Sequence, residues 1–347
     1  MTVGFTTGLL HDALRTDWDG IGPRPISWAA WYPTSPDAAE APMRGGGPGE
    51  PWFDMGAVAR DAPLAPPGRT LPVVVVSHGT GGTAVSLGWL ARRLAANGFL
   101  VLAADHHGNT AIEPYRAEGF LCWWERARDL SVLLDVLPAE ARFAGRLDTE
   151  RVFAVGFSLG CHTALSLLGA ITDMDRFRQW AEQAGGPLSR GPREFPNLSD
   201  HFPKLLAESR PLQASWARRS ASYRDPRLRA ALLLAPAPPV RAFTDDSLAA
   251  VERPVYMMVG DADGEAPSQV GAEWLAMRLP MVDLQRLGPS VGHFVFLPES
   301  TAAGRRDRPD LCVDAPGVDR RAVHDGAATA AMRLFEATPP SNDTPSR

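Results

Sequence analysis

The stretch Arg151-Val152-Phe153-Ala154-Val155-Gly156-Phe157-Ser158-Leu159-Gly160 decides how the rest of the chain is read. Arg151–Gly156 is a short apolar, β-branched run bounded by a glycine, the pattern of a buried strand. Leu159–Ala170 reads as a helix. Between them stands Gly156-Phe157-Ser158-Leu159-Gly160, which fits G-x-S-x-G in the strand–turn–helix context that gives this motif a mechanical meaning. A turn from strand to helix this tight brings the residues two before and two after the serine together, and only glycine escapes the clash. It also projects the serine hydroxyl beside a helix N-terminus with free N–H groups. The rival reading is a glycine-rich helix start with a capping serine.

Working outward, Leu71–Ser77 (LPVVVVS) is a continuous β-branched run, as in a parallel strand buried on both faces. Leu87–Asn97 reads as a helix closed by Gly98, Leu100–Ala104 as a strand and Phe120–Leu137 as an amphipathic helix. Ala230–Ala235, Pro254–Val259 and Val282–Leu287 read as further strands, and Ala266–Met277 and Ala322–Ala337 as helices. Repeated β-then-α units give an α/β fold with a mostly parallel central sheet flanked by helices. Before this, Thr2–Leu9 is a weak strand and Ile26–Tyr32 a better one. Residues 33–70 read as an irregular Pro/Gly-rich loop, either a flap over a site or a surface insertion. Residues 173–225 are polar, arginine-rich and too long for a plain loop. They suggest a small helical cap whose aromatics either line a substrate entrance or pack the cap on the core. The expected organisation is thus a core of 1–172 and 226–337, a cap of 173–225 and a disordered tail of 338–347.

Hydrophobic residues make up 45% of the 347 and charged residues 22%, enough for a large core. A net charge of -5 without a basic stripe argues against nucleic acid. Three scattered cysteines, Cys122, Cys161 and Cys312, form neither a disulfide framework nor a zinc pair. Nothing at the N-terminus resembles a secretory signal and no apolar run is long enough to span a bilayer, so a cytoplasmic location is expected. Oligomeric state is not legible.

A serine attacks only if a base takes its proton and an acid orients that base. Among eight histidines, His293 in Gly292-His293-Phe294 fits best, late in the chain and past the last strand. His324, inside a helix, is a weaker candidate, and His162, one turn past the serine, reads as packing. The acid is expected after Pro254–Val259, in Gly260-Asp261-Ala262-Asp263-Gly264. Asp263 is preferred and Asp261 is the alternative. The oxyanion needs preorganised amides. Leu159 N is one candidate and Thr80 N, in the glycine-dense His78-Gly79-Thr80-Gly81-Gly82, is the other. That loop fits neither GxxxxGK[ST] nor GxGxxG, which disfavours a phosphate-binding reading. His78, Gly79, His106, Phe157 and Phe294 flank these positions and are the substrate-contacting candidates. His106 and His107, adjacent at a strand end, make a poor metal pair because they point opposite ways. No metal or cofactor is expected.

His78-Gly79-x-Gly81-Gly82, Asp105-His106-x-Gly108, Gly156-x-Ser158-x-Gly160 and Gly292-His293-Phe294-x-Phe296-Leu297 together resemble bacterial "predicted dienelactone hydrolase" proteins, relatives of the plasma-type platelet-activating-factor acetylhydrolases. The likeness extends to Trp31-Tyr32-Pro33 and Pro316-Gly317-Val318-Asp319-Arg320. It implies the α/β-hydrolase fold and serine-esterase activity on a small-molecule ester. Two features depart from the pattern. True dienelactone hydrolases use cysteine where this chain has Ser158. The acetylhydrolases take their acid from the strand after the nucleophile helix, which here ends Ala235-Pro236-Ala237-Pro238 without one. That favours Asp263 and leaves Asp245 and Asp246 as further alternatives. Amide, thioester or lactone hydrolysis by the same triad, or a binding protein that lost catalysis, are the competing functions.

Overall fold

The computed structural model describes residues 1–65, 70–185 and 190–338. Its centre is a strand whose sequence leaves no polar face. In β5 (Leu71–Ser77) every residue is buried. Val73 and Val75 pack into one apolar cluster, and Val74 and Val76 into a second on the opposite face of the sheet. Helices cover both faces, which is why alternation is absent from this strand.

The other strands are β1 (Val3–Thr16), β2 (Pro23–Pro33), β3 (Ala41–Gly45), β4 (Phe53–Arg60), β6 (Leu100–Ala104), β7 (Leu147–Phe157), β8 (Leu228–Leu234), β9 (Val255–Val259), β10 (Val282–Arg286) and β11 (Glu299–Ser300). They run in the order β10-β9-β8-β7-β5-β6-β2-β1-β4-β11, with β3 beside β4. From β6 to β10 all pairings are parallel, and the β1–β2 hairpin is antiparallel. This is the α/β-hydrolase fold. The order reverses around β5, so the carboxyl ends of β5, β7, β9 and β10 open onto one crevice.

Four expectations need correction. Residues 33–70 are not structureless: β3 and β4 form a hairpin across Gly46 and Gly47, at φ +76° and +82°. β4 also pairs with β1, so an edge of the sheet supplies the hydrogen bonds that local propensity does not. The strand at Thr2–Leu9 runs on to Thr16, because its polar end is buried in ion pairs. Arg15 bonds Asp12 at 2.7 Å, Glu125 at 3.1 Å and Asp129 at 2.6 Å. Phe120–Leu137 is two helices, Ala117–Leu121 and Glu125–Val136, broken where Trp123 and Trp124 turn inward. Ala266–Met277 keeps only Ala272–Ala276 helical, since the amides of Glu265 and Ala266 are committed to the Asp263 carboxylate.

Among the described residues of the expected cap are the helices Met174–Ala184, Leu198–Glu208 and Arg210–Trp216; residues 186–189 of it lie outside the described residues. Residues 339–347, most of the expected tail, lie outside the described residues. No helix among the described residues is long and apolar enough to cross a membrane.

Candidate active site

β7 runs directly into Ser158, and the helix Leu159–Leu168 starts at the next residue. Ser158 sits at φ 55°, ψ -118°, a strained conformation for a residue with a side chain. The strain is held from three sides. Ser158 N donates to Leu234 O at 2.9 Å. A Cβ on Gly156 would stand 2.2 Å from Gly160 O, and one on Gly160 would stand 2.0 Å from Ser77 O. The backbones on both sides of the serine therefore touch, and both motif glycines are required by contact.

His293 and Asp263 arrive from the neighbouring strand ends. His293 follows β10 and Asp263 follows β9. Asp263 Oδ2 lies 2.7 Å from His293 Nδ1, and both residues are buried. The second carboxylate oxygen of Asp263 accepts from Glu265 N at 3.0 Å and Ala266 N at 2.6 Å. The carboxylate is thus fixed on both oxygens, and only its histidine-facing one is free to orient a ring. Asp261, the alternative, is turned outward to Arg286 Nε at 2.8 Å. Asp245 is exposed and paired with Arg176 and Arg278, and Asp246 is also exposed. Geometry therefore joins Asp263 to His293 and leaves the other three acids apart. His324 is likewise remote: it stacks on Trp89 at 3.6 Å between centroids and bonds Val295 O at 2.9 Å. His162 packs on Phe243 and bonds Thr172.

Ser158 and His293 line one cavity of about 1800 Å³, together with Gly79, Thr80, Phe157, Leu159 and Phe294. Among the described residues, neither Thr80 N nor Leu159 N donates to a protein acceptor. Ser77 pairs with Gly156 across the β5–β7 ladder, which sets the Thr80 loop beside the serine. The loop is tied down by Asp105, which belongs to a quoted motif, and by two groups that sequence reading did not single out. Asn109 Oδ1 accepts from Gly81 N at 2.7 Å, Tyr115 Oη donates to Gly81 O at 2.9 Å, and Asp105 Oδ1 accepts from Ala84 N at 2.8 Å. No motif marks Asn109 or Tyr115; they matter only because the loop folds against them.

Two substrate-contacting candidates are misplaced by the sequence reading. His78 and His106 lie beneath the cavity instead of lining it. His106 bridges Ser77 Oγ at 2.9 Å and Asp129 Oδ2 at 2.8 Å. Burial, reinforced by the nearby Arg126 guanidinium, pushes its pKa down to about 3. Burial likewise holds His78 well below the ordinary histidine value. His78 instead contacts Arg126, whose Nη2 donates to the His78 carbonyl. Both histidines therefore brace the His78–Gly82 loop from behind. His107 turns the other way, to Glu113 at 2.8 Å, as expected for neighbours at a strand end. Cys161 is core, its thiol buried against Gly156 O and Leu234 O.

The aromatics of residues 173–225 divide between the two roles expected of them. Phe177, Phe202 and Trp216 line the cavity. Trp180 packs on Phe177 at 5.7 Å and Phe195 on Phe120 at 5.4 Å, outside it. The hairpin of β3 and β4 adds Trp52 and Phe53 to the lining of the same cavity.

Comparison with known proteins agrees with this architecture. Residues 68–237 match the family model described as Hydrolase_4, serine aminopeptidase, S33. The matched span holds Ser158 and the Thr80 loop and stops before Asp263 and His293. Over 108 residues the chain is 32% identical to Cutinase est2 of Thermobifida alba, covering 30% of this chain and 33% of that protein. It is also 32% identical over 108 residues to Cutinase 2 of Thermobifida cellulosilytica, covering 30% and 37%. The chain thus matches about a third of the length of these curated relatives. A ferulic acid esterase from Streptomyces cinnamoneus superimposes with a TM-score of 0.63 over 99% of this chain and 94% of its own, at 20% identity. That likeness is one of fold.

Proposed function

We propose that the protein is a serine hydrolase that cleaves carboxylic esters through an acyl-enzyme. The observation that carries this reading is convergence. A strained serine, a histidine held by a fixed carboxylate and two unused amides meet at one cavity. In the proposed reaction His293 Nε2 takes the Ser158 proton as Oγ attacks the ester carbonyl. Asp263 keeps the Nδ1–H tautomer and stabilises the imidazolium. The amides of Thr80 and Leu159 receive the oxyanion. His293 then returns the proton to the leaving alcohol and activates the water that releases the acid.

The curated relatives named as cutinases support an ester over an amide. The aromatic lining supports short to medium acyl or aryl groups, because aromatic side chains offer large apolar faces to alkyl chains and rings alike. The narrower likeness to dienelactone-hydrolase-like and platelet-activating-factor-acetylhydrolase-like enzymes rests on the quoted motifs and is part of this proposal. An amide is the second reading, favoured by the aminopeptidase description of the matching family.

The test is hydrolysis of p-nitrophenyl esters from acetate to dodecanoate by the wild type and Ser158→Ala, with a matched p-nitroanilide alongside. Ester turnover confined to the wild type supports the proposal, and its chain-length optimum sizes the acyl site. Turnover that persists in Ser158→Ala refutes the mechanism, and turnover of the anilide alone replaces the ester with the amide.

A further inference from the structure

Glu194 is a carboxyl group that the proposed chemistry does not use, yet it borders the same cavity as Ser158 and His293. It stands against the His78–Gly82 loop: a Cβ built on Gly81 would lie 3.0 Å from Glu194 Cγ and 2.6 Å from Tyr115 Oη. Gly81 follows Thr80 directly, so this carboxyl is a neighbour of the Thr80 loop. Burial raises its pKa, against the lowering pull of its own backbone amide and of the Arg193 charge.

The cations around it are engaged elsewhere. Arg193 bonds Asp310 at 2.6 Å and Glu265 at 3.4 Å, with its guanidinium 5.3 Å from the centre of the Phe294 ring. Arg308 grips Asp310 through two contacts of 2.9 Å. Among the described residues Glu194 has no ion-pair or hydrogen-bond partner beyond its own backbone amide. Glu194 is half-buried and its carboxyl oxygens are open to the cavity. Tyr115 beside it spends its hydroxyl proton on Gly81 O. The Glu194 carboxyl therefore borders the cavity as an acceptor that no side chain among the described residues engages.

Resting on the esterase reading, we propose that Glu194 is a specificity residue that accepts a hydrogen bond from a hydroxyl or ammonium group of the ester substrate. Such a contact discriminates strongly, because a substrate lacking the donor buries the carboxylate against apolar atoms and leaves it unpaired.

The experiment compares kcat/KM within pairs matched in shape. On the alcohol side these are 2-(dimethylamino)ethyl against 3-methylbutyl butyrate, and 2-hydroxyethyl against propyl butyrate. On the acyl side it is methyl 3-(4-hydroxyphenyl)propanoate against methyl 3-phenylpropanoate. The wild type is expected to prefer the donor-bearing member of at least one pair by about ten-fold or more, and Glu194→Leu, which has no acceptor, to reduce that ratio to about three-fold or less. The pair that responds identifies ammonium or hydroxyl and the side of the ester. Ratios near one throughout in the wild type overturn the inference while the esterase reading stands, since both members are hydrolysed. A preference that survives in Glu194→Leu overturns it too. Failure of the wild type to hydrolyse any member strikes the esterase reading instead. The wild-type ratios decide the matter even if the variant does not fold.

Discussion

Replacing Asp263 by asparagine tests the site at its most constrained point. Asp263 uses one oxygen for His293 Nδ1, at 2.7 Å, and the other for two backbone amides, at 3.0 and 2.6 Å. Asparagine keeps the shape but has only one acceptor. With its oxygen toward His293, its NH₂ faces two N–H donors and three donors confront one another. With its oxygen on the amides, two hydrogen bonds survive and the NH₂ faces His293. The second arrangement wins because it preserves more bonds and creates no unsatisfied donor pair. It forces the neutral imidazole to accept at Nδ1 and carry its proton on Nε2, the wrong tautomer for taking a proton from Ser158. Loss of the correct base and of the imidazolium's counter-charge in a buried site together predict a fall in kcat of ~10⁴-fold, about 5.5 kcal/mol of barrier. The assay is steady-state hydrolysis of p-nitrophenyl butyrate, with thermal unfolding as the control for structure. KM should change little, since Asp263 lies behind the histidine and outside the cavity lining. Asp261→Asn, which alters only a contact with the half-exposed Arg286, should stay within about two-fold of the wild type. A loss smaller than about ten-fold in Asp263→Asn, or a large loss in Asp261→Asn, refutes the reasoning.

Further outcomes follow from the same geometry. A fluorophosphonate probe should label the wild type at Ser158 alone, and labelling of Ser158→Ala would mean that another nucleophile is active. Gly160→Ala places a methyl 2.0 Å from the backbone oxygen of Ser77, where neither strand nor helix can yield, and should cost about 3 kcal/mol in denaturant unfolding; a change under about 0.5 kcal/mol would show that the elbow is looser than the contacts require. Acid should destabilise the fold early. His106, His162 and His324 are held at about 3 by burial against an ordinary 6.5, so between these values the unfolded chain binds protons that the native one refuses. Stability is therefore greatest above pH 6.5 and falls as pH drops through the window toward 3. A melting temperature that stays flat from neutrality to about pH 4.5 would contradict neutral buried histidines.

The elements that could be read from the chain are those whose sequence signal is local. Leu71–Ser77 was legible to the residue because a strand buried on both faces must be apolar throughout. Gly156, Ser158 and Gly160 announced the elbow because the glycines answer contacts within a few residues of one another. His293 and Asp263 followed from chain order and strand ends. What could not be read depends on partners distant in sequence. β3 and β4 are strands because β1 and β11 lend them an edge, although their own composition is that of a loop. Arg15 stays in a strand because Glu125 and Asp129 neutralise it from more than a hundred residues away, and Asp12 because Arg15 itself pairs with it. The choice between Asp263 and Asp261, two residues apart in one turn, rests on which carboxylate the backbone of Glu265 and Ala266 caps. His78 and His106 belong to motifs that carry the family resemblance, yet burial behind the cavity gives them a supporting position. Glu194 has no motif at all. Sequence determined the local devices, a buried strand and a tight turn, because their physics is complete within a short stretch. Tertiary structure decided which polar groups face the cavity, because that depends on what the rest of the chain leaves unpaired.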